Sequence, residues 1–314
     1  MDAVFNSVLP LFALVLIGYG AMRFRALSEA GLEGVNRFVY YFALPVMLFF
    51  TMARNPLDAF FDWRIVAAYS GSSILIFAGS ITLSMVLFRN SSFRERTIVA
   101  GCGSFSNIAY LGVPLMIGAF GPAAGAPSGL ILLTDNLILI SIVMACLEAS
   151  GGSRVSLIGL VLKVAAGFGR NPFMLGMLTG ALWGLFGPEL PGPVNRFGDL
   201  LGAAAGPCAL FALGGTLYGR PIADGRSEVI FASALKLFVH PVLAAIAALL
   251  IFDLPRETAI LIIAIAALPT GANMFVLATQ YRAATLRAST SVLITTGLSV
   301  VTVSGLLLWL TESG

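Results

Sequence analysis

Apolar residues run along this chain in blocks of about 17 to 25, the length a helix needs to cross a hydrocarbon layer about 30 Å thick. Most of the charges sit in the short polar stretches between blocks. Ten blocks are expected, at about residues 5–22, 35–53, 65–88, 97–119, 129–148, 171–187, 197–218, 228–252, 257–280 and 286–310. The pattern predicts an all-α polytopic membrane protein with ten transmembrane helices.

Two blocks carry polar and helix-breaking residues where an ordinary span carries Leu and Val. Span 4 contains SFSNIAYLGVP, Ser104 to Pro114, with Asn107, Tyr110, Gly112 and Pro114; span 9 contains LPTGAN, Leu268 to Asn273, with Pro269, Thr270 and Asn273. A helix broken in mid-membrane frees backbone groups, which are tolerated only where protein buries them or they line a cavity. Two such breaks in matching halves point to a substrate site between the halves.

The halves do match when span n is set beside span n+5. Val35-Asn36-Arg37-Phe38 opens span 2 and Val194-Asn195-Arg196-Phe197 opens span 7, with Pro45 and Pro207 expected to interrupt those helices. Arg94-Glu95-Arg96-Thr97 precedes span 4 and Arg256-Glu257-Thr258 precedes span 9. Five spans per half force the second half to insert upside down, so two inverted five-helix repeats are expected, 1–149 and 171–314. The linker 150–170 between them has a Ser- and Gly-rich opening and reads as a hinge, in which Val155 to Val164 could form a short surface helix.

Charge supports the inversion. Arg23, Arg25, Arg37, Arg89, Arg94, Arg96, Arg154, Lys163, Arg170, Arg220, Arg226, Arg282 and Arg287 follow odd-numbered spans; only Arg54, Arg64, Arg196 and Arg256 follow even-numbered ones. The excess of cations in cytoplasmic loops then places both termini outside. Counted from their own ends at about 1.5 Å per residue, Asn107 lies about 15 Å deep and Pro269 to Asn273 about 18–24 Å deep. Both breaks therefore fall in the middle portion of the layer, and if helices 4 and 9 cross there, their broken ends meet. Half-helix N-termini there carry partial positive charge and unpaired N–H groups, which suit an anion, and the Asn amides add donors.

Composition agrees: 58% of the 314 residues are apolar and 11% charged, against about 25% charged in soluble domains. A net charge of +3 gives no reason to expect nucleic acid as a partner. Cys102, Cys146 and Cys208 fall in apolar blocks without ligand or redox spacing and read as packing residues. Met1 and Asp2 precede the first block without a basic stretch or a cleavage pattern, so that block is expected to be kept. Gly176, Gly180 and Gly184 form a small-residue ridge on span 6 for close helix packing.

Further polar groups lie at membrane depth. Span 5 holds Thr134, Asp135 and Asn136, and span 10 holds Thr295 and Thr296 in the corresponding place. An ionisable group inside a span is a functional candidate by default, so Asp135 reads as a substrate, proton or cation group, with a buried structural hydrogen bond as the alternative. On span 8, Lys236 and His240 share a face at i and i+4; His240 stands before Pro241 and suits a kink cap, and Lys236 could snorkel. Enzyme motifs are missing: one histidine excludes an HExxH site, and Asp135 has no carboxylate near it in sequence. No cofactor or metal is expected.

Asn107 through Leu115 (NIAYLGVPL) on span 4 and Leu268 through Ala278 (LPTGANMFVLA) on span 9 resemble the auxin efflux carrier family, within the wider group of bile-acid:sodium symporter-like folds. The resemblance covers nearly the whole chain in span number and order. It implies a bacterial inner-membrane carrier with a scaffold of spans 1, 2, 6 and 7 (about 1–64 and 171–220). A transport domain of spans 3–5 and 8–10 (about 65–149 and 226–314) would slide by an elevator motion. It also implies a homodimer, and a small organic anion such as an auxin-like acid, malonate or malate as substrate, with possible proton or sodium coupling. Asn107, Pro114, Pro269 and Asn273 inherit the crossover role. Span 3 departs from the plant carriers, which place an Asp and a Lys beside the site; here it offers Tyr69, Ser70, Ser72 and Ser73 without a charge, and Asp135, Lys236 and His240 are the substitutes at hand. A sodium-coupled symporter of the bile-acid type and an anion channel or receptor are the alternatives.

Overall fold

The computed structural model describes residues 2–54, 61–150, 159, 162, 166, 169–219 and 225–312. The expected linker at 150–170 lies largely outside these, as do Arg154, Lys163 and Arg220 of the charge pattern. The described residues form helices α1 (Asp2–Arg23), α2 (Glu29–Ala53), α3 (Trp63–Leu87), α4 (Phe93–Ser104), α5 (Ile108–Phe120) and α6 (Pro122–Ala149). There follow α7 (Pro172–Phe186), α8 (Gly192–Leu217), α9 (Arg226–Ile251), α10 (Arg256–Ala266), α11 (Asn273–Gln280) and α12 (Thr285–Glu312). Six of them, α2, α3, α6, α8, α9 and α12, are long and apolar enough to cross a membrane, and Pro10–Arg23, Ile108–Phe120 and Pro172–Phe186 are shorter apolar stretches.

Local chemistry sets the helix ends. Ser28, Asp62 and Asn171 each accept a backbone N–H of the first turn of α2, α3 and α7. Ser92 and Glu95 close a reciprocal capping box on α4, satisfying two donors that a helix start leaves free. The Ser92 backbone N–H first, then its hydroxyl and the Arg287 guanidinium, hold the Glu95 carboxyl below the ordinary carboxylate range against the opposing effect of partial burial. A depressed value means stability that is present above the ordinary value and lost as pH falls through the lowered one. Ser92→Ala is expected to cost about 0.5–2 kcal/mol and to flatten that acid-side loss, which melting curves recorded down the acid range would show.

Prolines widen helices in a regular way. π-turns at Val39–Ala43, Ile108–Gly112 and Leu235–Val239 each end two residues before a proline: Pro45, Pro114 and Pro241. Proline has no N–H to give and its ring pushes away the carbonyl four residues back, so the ladder slips to the next carbonyl; Leu44 N–H reaches Val39 and His240 N–H reaches Leu235. A fourth widened turn, Ile246–Ile251, has no such proline. The expected interruption at Pro45 is thus a widened turn in a continuous helix, while α8 runs unbroken through Pro207.

The chain packs as two units. The first comprises residues 1–61, 109–133 and 165–219, and small residues let its backbones touch. A Cβ on Gly176 would meet the Pro45 Cα at 3.0 Å, one on Gly180 the Phe49 Cα at 2.8 Å, and one on Gly184 the Met52 carbonyl oxygen at 3.0 Å, so the ridge on α7 lies directly on α2. Residues 109–133, expected with the other group of spans, belong here because Tyr110 stacks edge-on against Phe173 and Pro114 faces Gly206, while Gly125 and Gly129 lie against Thr51 and Met52. Arg54 joins α2 to α8 through Asp199 (2.7 Å) and Asn195 (3.0 Å).

The second unit comprises 62–108, 134–164 and 220–314. Its apolar core joins Phe77 of α3, Ile98 and Val99 of α4, Leu139, Val143 and Leu147 of α6, Ala232 of α9, Met274 and Leu277 of α11, and Ala288 of α12. At the helix starts, Arg287 lies between Glu95 (3.4 Å) and Glu228 (3.5 Å), and Ser91 donates to Glu228.

Candidate functional site

The two breaks meet inside the second unit. After Ser104 the backbone turns extended at Phe105, and Ser106 forms an isolated antiparallel bridge with Thr270. Asn107 N–H donates to the Pro269 carbonyl and Gly271 N–H to the Phe105 carbonyl, both at 2.9 Å. This pair of bonds is one rung of a β-ladder, built from the backbone that two broken helices set free. Pro269 suits its position because the residue before a proline is pushed extended and the ring itself needs no partner for an N–H.

Side chains close what the rung leaves. Thr270 donates its hydroxyl to the Cys102 carbonyl (2.7 Å) at the end of α4, and its N–H to the Thr295 hydroxyl of α12 (3.0 Å). Tyr69 of α3 donates to the Ser106 hydroxyl (2.8 Å). The backbone donors of Asn107, Thr270 and Gly271 are therefore used within the protein. The expectation that the broken backbone itself offers unpaired N–H groups is not met at these three positions. What is left free is a side chain: Asn107, 3% exposed, has no partner for its amide nitrogen. Asn273, at the start of α11, donates its amide to Asn136 of α6 (3.3 Å).

Beside the crossing lies a buried charged group. Lys236, His240 and Asp135 are fully buried. The Lys236 ammonium donates to the Ala266 carbonyl at the end of α10 and stands 3.0 Å from His240 Nδ1, while His240 Nε2 stands 3.1 Å from the Ser73 hydroxyl of α3. Neither oxygen of Asp135 has a hydrogen-bond partner, and Lys236 is a charge that acts on it. The other unpartnered buried side-chain atoms among the described residues are hydroxyls and Arg96 Nε.

Of the predicted residues, then, the second unit gathers Asn107, Pro269, Thr270, Asn273, Asn136, Asp135, Lys236, His240 and Thr295. Tyr110 and Pro114 belong by packing to the first unit. Sequence reasoning noted Tyr69 and Ser73 only for the charge that span 3 lacks, and gave Ser106 no role, whereas Tyr69 holds Ser106 and Ser73 meets His240. The signal available was the run of hydroxyls on span 3 for Tyr69 and Ser73, and the SFSN stretch of the span 4 break for Ser106.

The chemistry is that of a binding site: a buried amide donor, two further amides, and a buried lysine and aspartate. Comparison with known proteins agrees. The profile of the membrane transport protein family matches residues 3–307. A Rhizobium meliloti (strain 1021) protein named "Putative malonate transporter" is 34% identical over 317 residues, covering 100% of this chain and 98% of its own. Auxin efflux carrier component 4 of Arabidopsis thaliana is 26% identical over 149 residues, which are 47% of this chain and 24% of the plant protein. The Escherichia coli (strain K12) uncharacterized transporter YfdV is 23% identical over 245 residues, 75% of each chain. These proteins are transporters, not enzymes, and the chain is an integral, multi-pass membrane transporter that belongs to the auxin efflux carrier family of membrane transport proteins.

Proposed function

We propose that this protein is a secondary carrier of a small organic anion, a dicarboxylate of the malonate type in the first place, bound at the crossing of the two breaks. The observation that carries the reading is the unpartnered, buried amide nitrogen of Asn107, fixed by a backbone rung that needs nothing from that amide. A buried donor without an acceptor costs about 1–3 kcal/mol, a cost that a carboxylate oxygen removes. Asn273 and Asn136 supply further amides within the same unit, and the Lys236 ammonium supplies positive charge. The name of the Rhizobium relative, which covers the whole chain, favours malonate over an indole acid.

The remaining architecture follows the repeat and charge patterns of the sequence. Ten spans are arranged as two inverted five-helix repeats, with odd-numbered loops in the cytoplasm and both termini outside. The group holding the crossing slides as an elevator against a dimeric scaffold, in the inner membrane of a bacterium. Purified protein is expected to melt at a higher temperature with malonate than with chloride, because a ligand that binds only the folded state stabilises it by mass action. No shift with any member of a panel of mono- and dicarboxylates would count against the reading.

A further inference from the structure

We propose that the Lys236 ammonium is a tethered cation: it closes the carbonyl end of α10 and, with the Asp135 carboxylate as counter-ion, fills the place at the crossing where a bound alkali ion would otherwise be needed. For its consequence in transport this rests on the carrier reading above; for its geometry it does not.

A helix that stops in mid-membrane ends on carbonyls without intrahelical partners. Such ends carry partial negative charge and draw cations, which is how broken helices come to hold coupling ions. The two half-helices that end at the crossing are closed by different chemistry. At the end of α4 the partners are neutral: the Ser104 hydroxyl on the Ala100 carbonyl (2.9 Å), the Phe105 N–H on Gly101 (2.9 Å) and the Thr270 hydroxyl on Cys102 (2.7 Å). At the end of α10, Ala267 N–H reaches Ile263 (3.0 Å) and Leu268 N–H reaches Ile265 (3.2 Å), but the Ala266 carbonyl takes the ammonium of Lys236, at 2.5 Å. The Lys236 side-chain nitrogen thus sits on the negative end of one half-helix, whereas the other is closed by hydroxyls and backbone N–H groups.

The surroundings hold that charge in place. An ammonium can only donate, so its contact with His240 makes Nδ1 the acceptor and leaves Nε2 to donate to Ser73. His240 therefore acts as a spacer that ties the ammonium to α3. Facing this group are Tyr69 from α3, whose ring centroid lies 5.6 Å from that of His240, and Asp135 from α6, the carboxylate of the two. Its two oxygens have no hydrogen-bond partner, and the charge that acts on it is that of Lys236. The π-turn Leu235–Val239 before Pro241 lies on the segment from which both Lys236 and His240 point inward, fully buried.

Melting curves and flux test this separately. In sodium-free choline buffer, added sodium should leave the melting temperature of the wild-type protein unchanged. Lys236→Ala should melt lower and regain stability with sodium or methylammonium, a response that a merely structural lysine would not create, and Lys236→Arg should stay close to wild type. Lys236→Met should reduce malonate flux in proteoliposomes by about tenfold or more. The proposal is overturned by a wild-type protein that sodium stabilises, by Lys236→Ala that answers to neither cation, or by Lys236→Met that carries malonate like wild type. If Lys236→Ala does not fold, the near-isosteric Lys236→Met and the double variant with Asp135→Asn decide. The double variant should be the more stable of the two because it leaves no lone buried charge, and the opposite order overturns the pairing. If wild type carries no carboxylate at all, the carrier reading fails and the melting curves alone decide this one.

Discussion

Asn107→Ala is expected to weaken malonate binding by about 10- to 150-fold while leaving the protein folded. A hydrogen bond from an amide to a charged oxygen contributes about 1.5–3 kcal/mol, and about 1.4 kcal/mol is a factor of ten. The fold should tolerate the change because what Asn107 gives to the crossing is its backbone N–H, bonded to Pro269, whereas its amide nitrogen has no partner. Asn107→Asp should be worse, since it turns the donor into an acceptor and sets a negative charge against an anion. Asn273→Ala should also impair binding, but with some loss of stability, because that amide holds Asn136. Titration calorimetry beside a melting curve checks both variants. Wild-type affinity in Asn107→Ala would remove that residue from the site, and loss of fold would show that its amide has a structural partner.

Gly180→Leu is expected to be among the most damaging substitutions in the first unit. Its Cβ would meet the Phe49 Cα at 2.8 Å and the Phe49 carbonyl carbon at 2.9 Å, which is backbone, so no side chain can rotate out of the way. Overpacking usually costs about 1–3 kcal/mol where side chains can adjust; here α2 and α7 have to separate, and the loss should exceed that range. Gly79→Leu is the control, because a Cβ on Gly79 meets nothing within 4 Å. Size-exclusion profiles and melting curves should show Gly180→Leu misfolded or strongly destabilised and Gly79→Leu near wild type. Equal behaviour of the two would mean that the α2–α7 approach is not a requirement of the fold.

Much of this was legible in the sequence because membrane helices announce themselves by length and hydropathy, and a break announces itself by Asn, Pro and Gly where Leu is expected. Both interrupted stretches, and the buried Asp135, Lys236 and His240, stand out on that ground alone. Pairing was not legible. Thr270 and Cys102 are 168 residues apart, and nothing in the hydropathy pattern says that one closes the carbonyl of the other. For the same reason the breaks were expected to leave backbone donors free, when the rung between them uses Asn107 and Gly271 and the Thr295 hydroxyl takes Thr270. Residues 109–133 could not be assigned from spans either, because α6 changes partners along its length: its first part packs with α2 and α7, and its later part, from Thr134, belongs to the unit that holds the crossing. Span counting treats such a helix as one object.

The widened turns are a middle case. Each of Pro45, Pro114 and Pro241 is visible in the sequence, and the rule that a proline disturbs the turn before it is local. Whether the disturbance becomes a break or a π-turn depends on whether neighbours supply partners for the carbonyls it frees. Pro207 produces neither, and α8 runs unbroken through it.

The most direct test of the central claim is counterflow. Proteoliposomes loaded with unlabelled malonate, and given labelled malonate outside without any ion gradient, should accumulate label transiently above equilibrium, and Asn107→Asp should abolish the overshoot. An alternating carrier with its site at the crossing predicts that result. Label that only equilibrates, with currents in place of an overshoot, or an overshoot that persists undiminished in Asn107→Asp, would contradict it.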